Sequence, residues 1–307
     1  MSSTSKYHVF TDCDLDGAGS YHILNLLTGR KMPYTVARVN DFPVKFSGWL
    51  QNNNLEDYEM IYVLDLDISQ HEETQKLLDR PNVTIIDHHK LHIESVDNYE
   101  FANTLIENET STCKLVYKNF KGAGQLTAAQ KLLVLMVDDY DTYSFNVPNS
   151  YELNIIFWNY QGDRVQKFIT EFGRGFTGFT SQQKNIIHFY ARKLENIKSK
   201  LAVHTATIPI KNKKYKFVAV FADSCINDIA DHIIKNYKSD IGLVINVKSS
   251  KVSIRKSKTC NLDLSNFAKN LFEVGGGHED AAGGIICEKF LLFSKLFKPQ
   301  KIKSFNG

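Results

Sequence analysis

Short apolar runs alternate with helix-period stretches through the first half of the chain. Residues 8–10 (His-Val-Phe), 35–39, 60–64 (Met-Ile-Tyr-Val-Leu) and 83–86 (Val-Thr-Ile-Ile) read as strands. A helix is expected to start near residues 17–20 and to carry Ile23, Leu24, Leu26 and Leu27. Further helical stretches are expected over 70–78, 111–120 and 128–137. Strands that alternate with helices predict a mostly parallel sheet covered on both faces.

The pattern changes after residue 150. Residues 151–160 and 163–172 read as helices, and a Gly-rich break follows at 173–178. Residues 181–201 then carry Ile186, Ile187, Phe189, Tyr190, Leu194, Ile197 and Leu201 at amphipathic spacing, which predicts a connecting helix. A second, smaller α/β region comes next. Its strands are expected over 205–210, 217–221, 241–247 and 252–255, and its helices over 225–237 and 264–271. The expected organisation is an α/β domain over 1–180, a connecting helix over 181–202 and a second α/β domain over 203–307. The basic end, 298–307, is expected to be frayed.

Composition narrows the class. The chain has 307 residues, of which 43% are hydrophobic and 23% charged, as in an ordinary globular protein. A net charge of +3 argues against a polycation that coats duplex DNA. The last third is locally basic, through Lys211, Lys213, Lys214, Lys216, Lys248, Lys251, Arg255, Lys256 and Lys258. These form either a solvated surface or a face that attracts phosphates. The five cysteines form no C-x-x-C pair, so free thiols in a reducing compartment are expected rather than a structural zinc site. No apolar run approaches about 18 residues, and the start lacks a secretory apolar core, so a cytoplasmic protein without membrane spans is expected.

Four acidic clusters fall at the ends of the expected elements: Asp12-Cys13-Asp14-Leu15-Asp16-Gly17, Asp65-Leu66-Asp67, Asp87-His88-His89 and Asp138-Asp139-Tyr140-Asp141. Each alone has a bland explanation, because Asp favours turns and helix caps and a histidine pair can sit on a surface. Together they point to one place, since the carboxyl ends of strands in an open α/β sheet converge on one crevice. Carboxylates crowded there repel one another unless cations compensate. Hard oxygen donors with imidazole suit Mn²⁺ or Mg²⁺. Two such ions can clamp a phosphoryl group, which points to phosphoester hydrolysis.

The motifs resemble those of the DHH phosphoesterase superfamily over nearly the whole chain. Ile85-Ile86-Asp87-His88-His89 looks like its name-giving motif, and Asp14-Leu15-Asp16-Gly17 its first. Val63-Leu64-Asp65 and Asp141-Thr142 look like its second and fourth. Gly275-Gly276-Gly277-His278-Glu279-Asp280-Ala281-Ala282-Gly283 resembles the signature of the DHH-associated (DHHA1) C-terminal domain. The resemblance implies Asp14, Asp16, Asp65, His88 and Asp141 as ligands of two Mn²⁺ ions, or Mg²⁺, with Asp65 bridging. It implies that Asp87 orients a histidine or ligates more distantly, and that His89 meets the scissile phosphate or the leaving oxygen. Arg255, Ser257, Gly275, Gly276, Gly277 and His278 are implied to hold a nucleotide phosphate. Asp138 and Asp139 compete with Asp141 for the metal-facing position.

The implied activity is hydrolysis of short single-stranded oligonucleotides or linear dinucleotides to mononucleotides, in a cleft between the two domains. The alternatives are a RecJ-like exonuclease on longer single-stranded DNA, a cyclic-oligonucleotide phosphodiesterase and a non-catalytic nucleotide-binding protein. First-motif spacing leans towards RecJ, and length towards the nanoRNase group. Pyrophosphatases and exopolyphosphatases share the first half of the pattern but not the G-G-G-H tail. A dimer is compatible with the sequence.

Overall fold

The computed structural model describes residues 6–69, 74, 77, 80–89, 92, 103–120, 124–277 and 279–300. The helix expected over 70–78 lies outside these except for residues 74 and 77, as does the end of the chain from 301. Two compact units are present, Met1–Ile187 and His188–Gly307.

In the first unit, β1 (Lys6–Asp12), β2 (Tyr34–Ala37), β3 (Tyr58–Leu64), β4 (Val83–Asp87) and β5 (Asn103–Ile106) form a sheet of order β2-β1-β3-β4-β5. Every pairing is parallel. The helices are α1 (Leu15–Thr28), α2 (Phe42–Leu50), α3 (Thr112–Asn119), α4 (Ala128–Asp141), α5 (Ser150–Asn159), α6 (Arg164–Phe172) and α7 (Ser181–Lys198). Strand alternation sends Val9, Tyr62, Leu64 and Ile86 into a core with Leu24 of α1, Leu115 of α3 and Leu133 of α4. The intervening Phe10, Ile61, Val63, Val83 and Ile85 pack on the other face with Phe42 and Phe46 of α2. The strands therefore read as continuous apolar runs because both faces are buried.

Three boundaries differ from the sequence expectation. Helix α1 starts at Leu15, because the Asp14 carboxylate accepts the Gly17 amide at 2.9 Å and caps it there. Helix α2 lies in a stretch for which no element was expected; its Pro43 sits in the first turn, where proline costs no hydrogen bond. Helix α4 continues to Asp141, so the last acidic cluster lies inside a helix rather than after it.

In the second unit, β6 (His204–Ile210), β7 (Lys213–Phe221), β8 (Ile241–Asn246), β9 (Lys251–Lys256), β10 (Gly275–Gly277), β11 (Ala281–Ile285) and β12 (Lys298–Pro299) form a sheet of order β10-β11-β9-β8-β7-β6-β12. Only the β7–β8 pair is parallel, and α8 (Ile226–Tyr237) connects it. Helices α9 (Leu264–Leu271) and α10 (Glu288–Ser294) follow. Phe217, Leu243 and Ile254 face one core with Leu264, Ala268 and Phe290, while Val218, Val220 and Val244 face another with Ile229 and Ile233 of α8. The apolar positions of α7 divide likewise: Ile187 packs in the first unit, and Tyr190, Leu194 and Ile197 in the second. Lys298–Pro299, expected to be frayed, instead pair with β6. All five cysteines are free thiols, and among the described residues no helix is long and apolar enough to cross a membrane.

Candidate active site

Strand order reverses around β1, so the carboxyl ends of β1 and β3 border the crevice where open α/β sheets place ligands. Asp12 ends β1, Asp65 follows β3 and Asp87 ends β4. Asp65 adopts a left-handed backbone (φ 59°), which an Asp tolerates better than a branched residue and which turns its side chain out of the strand direction. Its carboxylate accepts the Thr112 hydroxyl at 3.1 Å.

Asp16 is buried against the start of α3. Its two oxygens accept the amides of Thr112 and Cys113 at 2.7 and 2.9 Å, where the positive end of the helix dipole favours a carboxylate. His88 draws the cluster together. Its Nε2 lies 3.4 Å from Asp65 Oδ1, 3.4 Å from Asp141 Oδ2 and 3.9 Å from Asp16 Oδ2. Two donor groups result, Asp16–His88–Asp141 and Asp65–His88–His89, each with its ligand atoms within 4.8 Å of one another.

The three acids of α4 do different things. Asp138 accepts the Ser111 amide at 2.9 Å and pairs with Lys114 at 2.6 Å, anchoring α3. Asp139 accepts the Asn146 amide at 2.7 Å and the Ser150 hydroxyl at 2.5 Å, closing the turn into α5. The buried Asp141 Oδ2 has no hydrogen-bond partner among the described residues and faces His88. At 100° per residue, one helix aims neighbouring acids in separate directions. Asp67 accepts the amide and hydroxyl of Ser69 and shapes a turn.

Burial, and then the charge of Asp14, push the carboxyls of Asp12 and Asp16 up to about 7. Burial and the neighbouring acids push Asp65 and Asp141 well above the usual carboxylate range. Such a cluster suits a divalent cation: hard oxygens and an imidazole converge, one buried oxygen lacks a partner, and each carboxylate resists ionising beside the others.

Asp87 stands apart from the donor groups. It is fully buried, and its oxygens accept Nδ1 of His89 at 2.7 Å and Nδ1 of His92 at 2.6 Å. Burial opposes its ionisation, but the two histidines outweigh burial and hold the carboxyl far below its usual range. Burial likewise opposes a charge on His89, and Asp87 overrides it and raises its affinity for a proton. The sequence reading did not reach His92, Ser111 or Thr112. A Ser-Thr pair opening a helix was a visible capping signal, but its contact with Asp16 and Asp65 was not.

In the second unit, Arg255 lies on β9 beside Gly242 of β8 and Ala281 of β11. Lys256 points to the opposite face and is bound by Asp280 at 2.8 Å and Glu279 at 3.2 Å, tying β9 to the β10–β11 turn. The Ser257 amide donates to the Asp240 carbonyl at 2.8 Å. Gly275–Gly277 form an edge strand paired with β11 rather than an open loop. A Cβ at Gly275 would meet Phe272 at 2.8 Å, and one at Gly277 (φ 136°) would meet Ala281 O at 2.6 Å. Packing alone therefore demands glycine at both. At Gly276 a Cβ would meet nothing within 4 Å, so this position offers open backbone to a ligand. His278 lies outside the described residues.

Residues 6–138 match the model of the DHH family, N-terminal domain. Oligoribonuclease NrnB of Bacillus subtilis (strain 168) is 23% identical over 310 residues, covering 92% of this chain and 73% of that protein. The fold is similar to that of PggH, a pGpG-specific phosphodiesterase from Vibrio cholerae, with a TM-score of 0.58, 13% identity and coverage of 94% of this chain and 96% of that one. It is also similar to that of RecJ from Thermus thermophilus in complex with Mn²⁺, with a TM-score of 0.54, 13% identity and coverage of 94% and 51%.

Proposed function

Because the chain belongs to the DHH/DHHA1 phosphoesterase superfamily, we propose that it is a metal-dependent phosphodiesterase that hydrolyses short single-stranded oligonucleotides, linear dinucleotides included, to mononucleotides. The observation that carries this reading is the convergence of Asp16, Asp65 and Asp141 on His88 Nε2 within 3.4–3.9 Å. Asp14, Asp16, Asp65, His88 and Asp141 would hold the metal, Mn²⁺ or Mg²⁺. When bound, two such ions would supply a Lewis acid for the phosphoryl oxygens and lower the pKa of water. The chain's own residues do the rest. Asp87 accepts Nδ1–H of His89, so Nε2 is the nitrogen that His89 presents towards phosphate or leaving oxygen. Arg255, Ser257, the Gly276 backbone and His278 bind a terminal nucleotide.

Two relatives act on short substrates by their names, an oligoribonuclease and a pGpG phosphodiesterase. The chain spans about half the length of the RecJ structure it resembles. Free thiols fit a reducing compartment, and we place the protein in the cytoplasm. The test is a substrate panel of linear dinucleotides, 20-mers and cyclic dinucleotides with Mn²⁺. Linear dinucleotides are expected to have the highest kcat/KM, and equal or faster cleavage of 20-mers overturns the short-substrate reading. No hydrolysis of any member overturns the enzymatic one.

A further inference from the structure

The first unit contains a cavity of about 400 Å³ at the carboxyl ends of β1 and β2. It is lined by Cys13, Tyr34, Val36, Gly162, Asp163, Arg164 and Val165. Cys13 lies between Asp12 and Asp14, so the cavity begins one residue from the acidic cluster on either side. The volume falls within the range of small-molecule pockets.

Two arginines reach this wall; beyond its Cys13 contact, Arg38 feels the charges of Asp41 and Asp12 only from more than 4.0 Å. Arg164 Nε is buried without a hydrogen-bond partner among the described residues, and the guanidinium is held 4.9 Å from the Trp158 ring. Asp163 beside it is already engaged, accepting the Tyr34 hydroxyl at 2.6 Å and the Gln166 amide at 2.9 Å. Arg38 reaches the same wall, where its Nε donates to Cys13 Sγ at 3.4 Å. Among the described residues neither arginine has an ion-pair partner within 4.0 Å. A buried donor without an acceptor calls for an explanation, and an anion supplied by a ligand provides one. Tyr34, Val36 and Val165 add an aromatic and apolar surface, which single-stranded nucleic-acid sites use to receive a base. Gly162 (φ 77°) leaves open space where a side chain would stand.

We propose that this cavity is a nucleotide subsite: it receives the base of a nucleotide flanking the scissile phosphate, and Arg164 with Arg38 meets that nucleotide's own phosphate. The inference rests on the phosphodiesterase reading and extends it. One end of the substrate is gripped within the first unit, beside the metal-binding acids, independently of Arg255. Guanidinium is suited to the task because it stays charged and offers paired donors to phosphate.

The full-length protein with Mn²⁺ is assayed on the linear dinucleotide pApA and on bis(4-nitrophenyl) phosphate, a diester without base or second phosphate. The readout is the ratio of the two kcat/KM values. Arg164→Gln is expected to lower the pApA ratio at least about tenfold, the cost of a lost charge-assisted contact. Gly162→Asn keeps a left-handed backbone that Asn tolerates, fills the space and lowers the ratio as well. Melting curves confirm that both variants fold. A ratio within twofold of wild type in both overturns the subsite while leaving the phosphodiesterase reading intact. If the wild type cleaves neither compound, that reading fails, and calorimetric binding of AMP decides the subsite: weaker binding by Arg164→Gln supports it, and equal affinity overturns it.

Discussion

His92 Nδ1 lies 2.6 Å from Asp87 Oδ2, and both side chains are fully buried. Since an ionised carboxylate only accepts, the imidazole donates, and Asp87 is held on both oxygens, by His92 on one side and His89 on the other. His92 thereby stops the carboxylate from rotating away from His89. The donor is Nδ1, the position that an Asn amide nitrogen reproduces and a Gln amide does not. His92→Leu and His92→Gln are expected to lower kcat about 10–100-fold, with a smaller change in KM. His92→Asn is expected to recover most of kcat. Steady-state kinetics on a dinucleotide check this, and equal losses for Asn and Leu would argue against a positioning role.

Asp138 and Asp141 should separate stability from chemistry. Asp138→Ala removes the partner of Lys114 and of the Ser111 amide, and is expected to cost about 1–3 kcal/mol and lower Tm. Asp141→Asn relieves repulsion among buried acids, so the metal-free protein should melt a few degrees higher. The same change should weaken Mn²⁺ binding by at least about 100-fold, since even residues behind the ligands cost up to that much. Calorimetry of the metal-free and metal-loaded variants measures both.

Metal binding should release protons. Burial and the Asp14 charge hold Asp12 and Asp16 near 7 without metal, so at neutral pH part of the cluster is protonated. Cations bind the ionised form, so affinity should rise with pH up to and through 7 and fall below it. Titration calorimetry in buffers of different ionisation enthalpy should give a proton release that shrinks above pH 8. A release of zero at pH 7 would contradict the depiction of the cluster.

Two buried histidines should oppose stability on mild acidification, while the raised carboxyls of Asp12 and Asp16 act in the other direction in the metal-free protein. Burial lowers His8 and His22 from 6.5 to about 4; at His22 the Gly173 carbonyl offsets burial in part. At these two positions the unfolded chain therefore binds more protons than the folded one between these values. The neutral folded forms are fully favoured above about 6.5, and stability is lost as pH falls towards 4. Each histidine contributes up to roughly 3 kcal/mol to that loss. Chemical denaturation from pH 7 to 4.5 should show His22→Gln gaining stability relative to wild type as pH falls, and a pH-independent difference would argue against the buried neutral His22.

Much of the fold was legible because it is local. Apolar runs at Val9, Ile61 and Ile85 mark strands buried on both faces, and the spacing in α3, α8 and α9 marks helices, because periodicity is set by residues a few positions apart. Short edge strands such as β5 and β10 were not legible, since their pairing comes from distant residues rather than from their own composition. Gly275 and Gly277 suggested phosphate contact, whereas in the fold the Phe272 ring and the Ala281 carbonyl claim the space a side chain would need.

For the acidic cluster, the sequence by itself determined which residue types arrive at the strand ends, and the Asp87-His88-His89 triplet with three other clusters pointed to one crevice. Only the tertiary structure decided what each acid does. Asp138 anchors Lys114, Asp139 closes a turn, and Asp141 alone of the three is left facing His88. His92, three residues beyond the triplet, enters only through its contact with Asp87. Direction around a helix and contact across a sheet depend on where the chain returns in space, and no local pattern encodes that.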